Sequence, residues 1–149
     1  MCGIIGCVGN KTAVDILLEG LTSLEYRGYD SSGIAVNVDG KVELYKAAGK
    51  LQNLKDIVKT KYSEISKSTI GIGHIRWATH GAPTVENAHP HSCNCGKVAV
   101  VHNGIIENYE ELKDHFGLAD ELISDTDSEV VGKLYNNSAA TVLATTEDG

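Results

Sequence analysis

Hydrophobic positions along the chain follow two periods. Ile4-Ile5 reads as a buried strand at the very start. Val14, Leu17, Leu18, Leu21 and Leu24 then recur at helical spacing and predict a helix over about residues 11–24, with Asn10 as its N-cap. Residues 34–38 and 41–47 are strand-like and flank Asp39-Gly40, a strong hairpin signal. Leu51, Leu54, Ile57, Val58 and Tyr62 mark a second amphipathic helix. Residues 69–76 read as a strand with Ile70, Ile72 and His74 on one face. Gly71 and Gly73 lie on the other, which implies close approach by a backbone or a ligand.

The later part of the chain is patterned more weakly. Residues 98–101 form a short apolar strand, residues 108–116 a helix, and Asp127 stands where it would cap a last helix reaching Tyr135. Residues 26–33 and 77–92 are too rich in turn-forming residues to be regular structure. Residues 136–149 are small and polar, and no repeat or linker interrupts the chain. Helices and strands in mixed order, with hairpins, predict one α+β domain with antiparallel pairing.

Composition narrows the partners. A net charge of −7 with no basic run argues against nucleic acid. No apolar run approaches the roughly 20 residues that span a bilayer, so no membrane association is expected. The N-terminus lacks a signal-peptide pattern. Cysteines at 2, 7, 93 and 95 are too few and too uneven for a disulfide scaffold, and predict a reduced, soluble, cytoplasmic protein.

Several residues carry candidate chemistry. If an aminopeptidase removes Met1, Cys2 brings a thiol and a free α-amine together on one residue. The amine, with an unperturbed pKa of about 7.7–8.0, can act as base for a thiol of about 8.5. Read alone, Cys2 is better taken as an ordinary core cysteine after a start codon. Asn103-Gly104, at the end of a strand, offers a side-chain NH₂ and an unobstructed backbone N–H, a suitable pair for an oxyanion hole, and also reads as a plain turn. Arg76, where a strand enters a loop, could grip a carboxylate or form a structural ion pair. Asp127 could hold an ammonium group or simply cap its helix. Arg27 and Asp30 could pair to brace the terminus. His89, His91, Cys93 and Cys95 alternate along the chain and could bind zinc or act as a redox pair, but Asn94 and Gly96 break the set with a turn and no metal is expected.

Four stretches together resemble a known family. Met1-Cys2-Gly3-Ile4-Ile5-Gly6, Leu24-Glu25-Tyr26-Arg27-Gly28-Tyr29-Asp30-Ser31-Ser32-Gly33, His74-Ile75-Arg76-Trp77-Ala78-Thr79-His80-Gly81 and Val101-His102-Asn103-Gly104-Ile105-Ile106-Glu107-Asn108 are similar to the class II glutamine amidotransferase domain. The version is that of the glutamine–fructose-6-phosphate aminotransferase (glucosamine-6-phosphate synthase) family. The resemblance implies an N-terminal-nucleophile hydrolase fold, a four-layer αββα sandwich of two antiparallel sheets. It implies that Cys2 attacks the glutamine side-chain amide through a thioester, giving glutamate and ammonia without a cofactor. Asn103 and Gly104 would form the oxyanion hole. Arg76 would hold the substrate carboxylate with Thr79 and His80 lining the pocket, Asp127 would take the ammonium, and Trp77 would gate an ammonia channel. Arg27 and His89 would support the site.

The resemblance runs from Met1 to about Val131. Residues 1–149 are therefore expected to be an amidotransferase domain lacking its last elements, without the sugar-phosphate isomerase domains that receive the ammonia. Such a domain would need an isomerase domain or chain as partner, and its open sheet edges could pair with a second copy. The alternative is a catalytically silent glutamine-binding module.

Overall fold

The structure, a computed structural model, describes residues 2–77 and 82–137. Four antiparallel strands make the larger sheet: β1 (Gly3–Val8), β2 (Ser31–Val38), β3 (Lys41–Ala48) and β4 (Ile70–Arg76), in the order β1-β4-β2-β3. β2 and β3 are the predicted hairpin. Their turn has positive φ at Asp39 (50°) and Gly40 (83°), the twist that suits two tightly connected strands. The Gly40 N–H also donates to the Asn37 side-chain oxygen at 3.0 Å.

β4 bridges β1 to the hairpin of β2 and β3. It pairs with β1 from Gly3↔Ile75 to Val8↔Ile70 and with β2 from Ser31↔Arg76 to Val36↔Gly71. The first residues of the chain are thereby fixed beside Arg76.

Helices α1 (Ala13–Leu24) and α2 (Leu51–Ile65) cover one face of this sheet. Val14, Leu17 and Leu21 of α1 join Leu51, Leu54, Val58 and Ile65 of α2 over Ile34, Val36 and Ile75. Burying a side chain of this size contributes roughly 1.5–3 kcal/mol, so this cluster is the main source of stability. Gly71 and Gly73 face α1. A Cβ on Gly71 would stand 2.8 Å from Leu17 Cδ1, and one on Gly73 3.3 Å from Leu21 Cδ1. The close approach foreseen for these glycines is that of helix side chains and, at Gly71, of the Ala35 backbone carbonyl at 2.8 Å, and His74 points the other way.

The opposite face of the sheet carries residues 86–92. Lys46 Nζ donates to the carbonyls of Glu86 (3.1 Å) and Ala88 (2.7 Å), and a Cβ on Gly33 would stand only 2.2 Å from the His89 carbonyl oxygen. This segment leads into a second antiparallel sheet of β5 (His91–Ser92) and β6 (Ala99–Val100). Helix α4 (Glu129–Asn137) packs on that sheet, and α3 (Tyr109–His115) packs on α4. The layers run helix, sheet, sheet, helix, and the α+β class with antiparallel sheets is as expected.

Some local expectations fail. α1 begins at Ala13 with Thr12, not Asn10, at its N-cap; the Ala13 N–H is satisfied by the Ser68 carbonyl at 2.8 Å, so tertiary contact replaces a side-chain cap. Ser31–Gly33 is strand rather than loop, because β3 and β4 both pair with it. His91–Ser92 is likewise paired, and the strand expected over 98–101 shrinks to two residues. Cys93 and Cys95 are joined in a disulfide, contrary to the expectation of reduced thiols. The turn closed by Gly96 N–H on the Cys93 carbonyl (3.3 Å), with Gly96 at φ 65°, brings their Cα atoms to 5.2 Å.

Candidate functional site

The site forms where the open end of β1 meets the end of β4. Cys2 continues β1 past Gly3. Its Sγ accepts a hydrogen bond from the Trp77 backbone N–H at 3.3 Å and lies 3.6 Å from the Trp77 carbonyl. The other free thiol, Cys7, sits near the far end of the strand with its Sγ on the Ala13 carbonyl at 3.8 Å. Burial pushes the Cys7 thiol up, which leaves it a poor nucleophile.

Alternation along β4 sends His74 and Arg76 to the face away from the helices. His74 is completely buried, and Arg76 is 5% exposed with Nη1 donating to the Ala82 carbonyl at 3.2 Å. Trp77 follows, half exposed, with Tyr29 edge-on to it at 5.5 Å between ring centroids.

The facing wall comes from the second half of the chain. Asn103 Oδ1 lies 2.8 Å from His74 Nε2. A Cβ on Gly104 would stand 2.7 Å from His102 Nε2, so a side chain there would have to displace that ring. Asp127 precedes α4, and its backbone carbonyl accepts from the Val130 N–H at 3.2 Å. Its carboxylate does not turn back onto the helix as the cap reading expects. It accepts instead from the Ile106 N–H and, at 3.2 Å, from the Ser128 hydroxyl. Ser128 Oγ also lies 3.1 Å from His102 Nδ1.

Residues 123–128 are held as a rigid wall by Glu129. Its carboxylate accepts from the N–H groups of Ile123 (3.0 Å) and Ser124 (2.6 Å) and from the Ser124 hydroxyl (2.7 Å), and it faces Lys133 at 3.7 Å. Asn87 ties this wall to the loop after β4, with Oδ1 accepting from the Asp125 N–H (2.8 Å) and Nδ2 donating to the Ala82 carbonyl (3.0 Å).

These pieces enclose one cleft of about 170 Å³, lined by Cys2, His74, Arg76, Trp77, His89, Asn103, Gly104 and Asp127 among others. Its size is below the roughly 300–1,000 Å³ of drug-sized sites and suits a single small molecule. Beneath it lie three imidazoles in ring contact, His74 with His89 (4.4 Å) and His89 with His91 (4.6 Å). Burial is the main cause that keeps all three neutral: His74 falls to about 4, His91 to about 3, and His89 well below the imidazole range.

The structure thus brings Cys2, Arg76, Trp77, His89, Asn103, Gly104 and Asp127 together. Thr79 and His80 lie outside the described residues. Arg27 does not line the cleft; it lies in a 3₁₀ turn, with Nε donating to the Tyr26 hydroxyl at 3.1 Å. The zinc set proposed from alternation does not converge. Its two cysteines form the disulfide, His91 Nε2 meets Thr126 Oγ1 at 2.8 Å, and no metal-holding group of three or more residues occurs among the described residues. Sequence reasoning missed Ser128, Asp125 and the role of His74 in contacting Asn103. For His74 a signal existed, its placement opposite the two glycines.

Comparison with known proteins gives a consistent result. Residues 51–147 match the family described as glutamine amidotransferase domain. The chain is 52% identical over 151 residues to the glutamine–fructose-6-phosphate aminotransferase [isomerizing] of Corynebacterium diphtheriae, covering 93% of this chain and 24% of that protein. It is 54% identical over 132 residues to the enzyme of the same name from Synechocystis sp., covering 88% and 20%. The chain spans about a quarter of the length of such relatives, 24% in the first case. Among solved structures, the glutamine phosphoribosylpyrophosphate amidotransferase of B. subtilis complexed with ADP and GMP superposes with a TM-score of 0.74 at 28% identity, over 95% of this chain and 30% of that one. A structure described as the allosteric regulatory enzyme of purine biosynthesis gives 0.75 at 29%, with the same shares.

Proposed function

The chain belongs to the glutamine amidotransferase domain family, with the N-terminal-nucleophile amidotransferase fold, and on that premise we propose that it hydrolyses the side-chain amide of glutamine. The observation that carries the reading is the meeting of Cys2, Arg76, Asn103, Gly104 and Asp127 in one cleft from distant parts of the chain.

In this reading Met1 is removed and the α-amine of Cys2 takes the thiol proton. The thiolate attacks the glutamine carboxamide carbon, and the carbonyl oxygen becomes an oxyanion that accepts from the Asn103 side-chain amide and the Gly104 N–H. The amine returns its proton to the departing nitrogen, the C–N bond breaks, and ammonia leaves a γ-glutamyl thioester. Water, deprotonated by the same amine, attacks the thioester; the C–S bond breaks, the amine returns its proton to the Cys2 sulfur, and glutamate departs. Arg76 pairs with the substrate α-carboxylate through two parallel hydrogen bonds, as a guanidinium can and an ammonium cannot. Asp127 faces the α-ammonium, and Thr79 and His80 complete the pocket. Trp77 closes the cleft on the side where ammonia leaves, and Arg27 and His89 support the surrounding loop and floor.

Residues 1–149 act here as an amidotransferase domain whose ammonia is delivered to a sugar-phosphate isomerase domain or chain, in the manner suggested by the names of its relatives. The setting proposed is cytoplasmic, with pairing to a second copy. Among the described residues no helix is long and apolar enough to cross a membrane.

The test is glutamate release from glutamine by protein whose mass shows Met1 removed, with Cys2→Ala in parallel. Release that disappears in the variant supports the reading. Glutamine binding without release would replace it with a silent binding module.

A further inference from the structure

A carboxamide is planar, and its oxygen and nitrogen are nearly the same size. Turning Asn103 by half a rotation about its last bond would swap a donor for an acceptor with little change in shape. An oxyanion hole works only with the nitrogen inward, because an inward oxygen would repel the charge that develops. Some neighbouring group must therefore decide between the two orientations. Among the described residues, the only hydrogen bond of the Asn103 side chain is the one to His74, 2.8 Å from Oδ1 to Nε2.

Resting on the oxyanion role given to Asn103 above, we propose that His74 is a positioning residue, whose Nε2–H tautomer donates to Asn103 Oδ1 and so turns the amide nitrogen toward Cys2. His74 is fitted for this in three ways. It is completely buried, and its ring is pinned against that of His89 at 4.4 Å, so it cannot rotate away. It stays neutral near neutral pH, because burial above all, and the nearby Arg76, disfavour a second proton. A neutral imidazole has one N–H, and the choice of nitrogen therefore fixes what Asn103 must present.

The competing tautomer would put the proton on Nδ1. That atom is buried and, among the described residues, meets no acceptor in hydrogen-bond geometry, although the His102 backbone carbonyl lies near enough to favour a proton on the ring. With the proton on Nδ1, Nε2 would become an acceptor, the Asn103 NH₂ would turn to it, and the amide oxygen would face the cleft. One proton on the His74 ring thus sets whether the hole is charged correctly.

The test uses kinetics and NMR on the intact chain. His74→Met, close in size but without a donor, should lower kcat for glutamine hydrolysis about 10- to 100-fold and leave KM within about threefold. His74→Gln, which restores an N–H, should recover about tenfold or more of that loss. In an Asn103→Ala background, His74→Met should change kcat less than about twofold, because the group it positions is gone. An equal loss in both backgrounds, or a Gln variant as slow as Met, would reduce His74 to a structural role. ¹⁵N spectra of the imidazole in the wild-type protein at pH 7 should show Nε2 protonated, and an Nδ1–H tautomer would overturn the proposal. This last arm needs neither a variant that folds nor turnover. A chain that releases no glutamate refutes the glutaminase reading, while the spectrum still decides the tautomer.

Discussion

Gly28 lies against the peptide that joins Arg76 to Trp77: a Cβ on it would stand 2.7 Å from the Arg76 carbonyl oxygen and 3.0 Å from the Trp77 nitrogen. The backbone at Gly28 is extended, with φ at −175°, so any residue could adopt its conformation. Only space is lacking. The same peptide carries the N–H that donates to the Cys2 thiol. Gly28→Ala should therefore displace nucleophile and carboxylate clamp together. A shift of about 1 Å can cost on the order of 10²-fold in rate. Steady-state kinetics should show kcat/KM down by about 10- to 100-fold, and wild-type values would mean the loop yields without moving β4.

Arg76 is the sharper probe of substrate binding. Arg76→Lys keeps the charge but loses the planar fork, and KM for glutamine should rise about 10- to 100-fold while kcat changes less. A variant slowed in kcat alone would assign Arg76 to the reacting amide rather than to the carboxylate.

Leu17 is fully buried on α1 and meets the surface left open by Gly71. Leu17→Ala should cost about 2–5 kcal/mol in urea unfolding at an unchanged m-value. A loss below about 1 kcal/mol would show that neighbouring side chains collapse into the space.

Stability should also depend on pH through the buried imidazoles. In the unfolded chain they take up protons below the ordinary value of 6.5. In the folded chain His74 does so only near 4 and His91 near 3. Among the described residues, Arg76, His102 and His89 bear on His74, and Lys46, Lys133, His74 and Arg76 on His91, and these cationic neighbours add to the cost of charging the rings. The unfolded state thus binds more protons between these limits, and stability is complete above about pH 7 and falls as pH drops toward 4. Urea midpoints at pH 7.5 and 5 should differ in that direction. A protein more stable at pH 5 would show that these rings are solvated.

What was legible in the sequence was what is local or strongly periodic. The faces of α1 and α2, the Asp39-Gly40 turn and the sidedness of β4 all follow from spacing. The N-cap of α1 was missed because its amide is satisfied by Ser68, distant in sequence. Ser31–Gly33 looked like a loop because two partner strands override its weak propensity. At the site, the residue types at 2, 76, 103, 104 and 127 suggested chemistry, but each alone had a plain structural reading. Only the pairing of β1 with β4, and the wall braced by Glu129, put them in one cleft. The disulfide was invisible for a related reason, since a turn rather than a pattern brings Cys93 to Cys95.

β4 assigns its residues by parity. Gly71, Gly73 and Ile75 belong to the helices, and His74 and Arg76 to the cleft. A slip of one position against β1 would press His74 and Arg76 into Leu17 and Leu21 and turn Ile75 outward. A sheet misaligned by one position cannot keep its core and lose only its cleft. Folding and chemistry are thus read from the same strand, and a correctly assembled cleft certifies the alignment of the sheet beneath it.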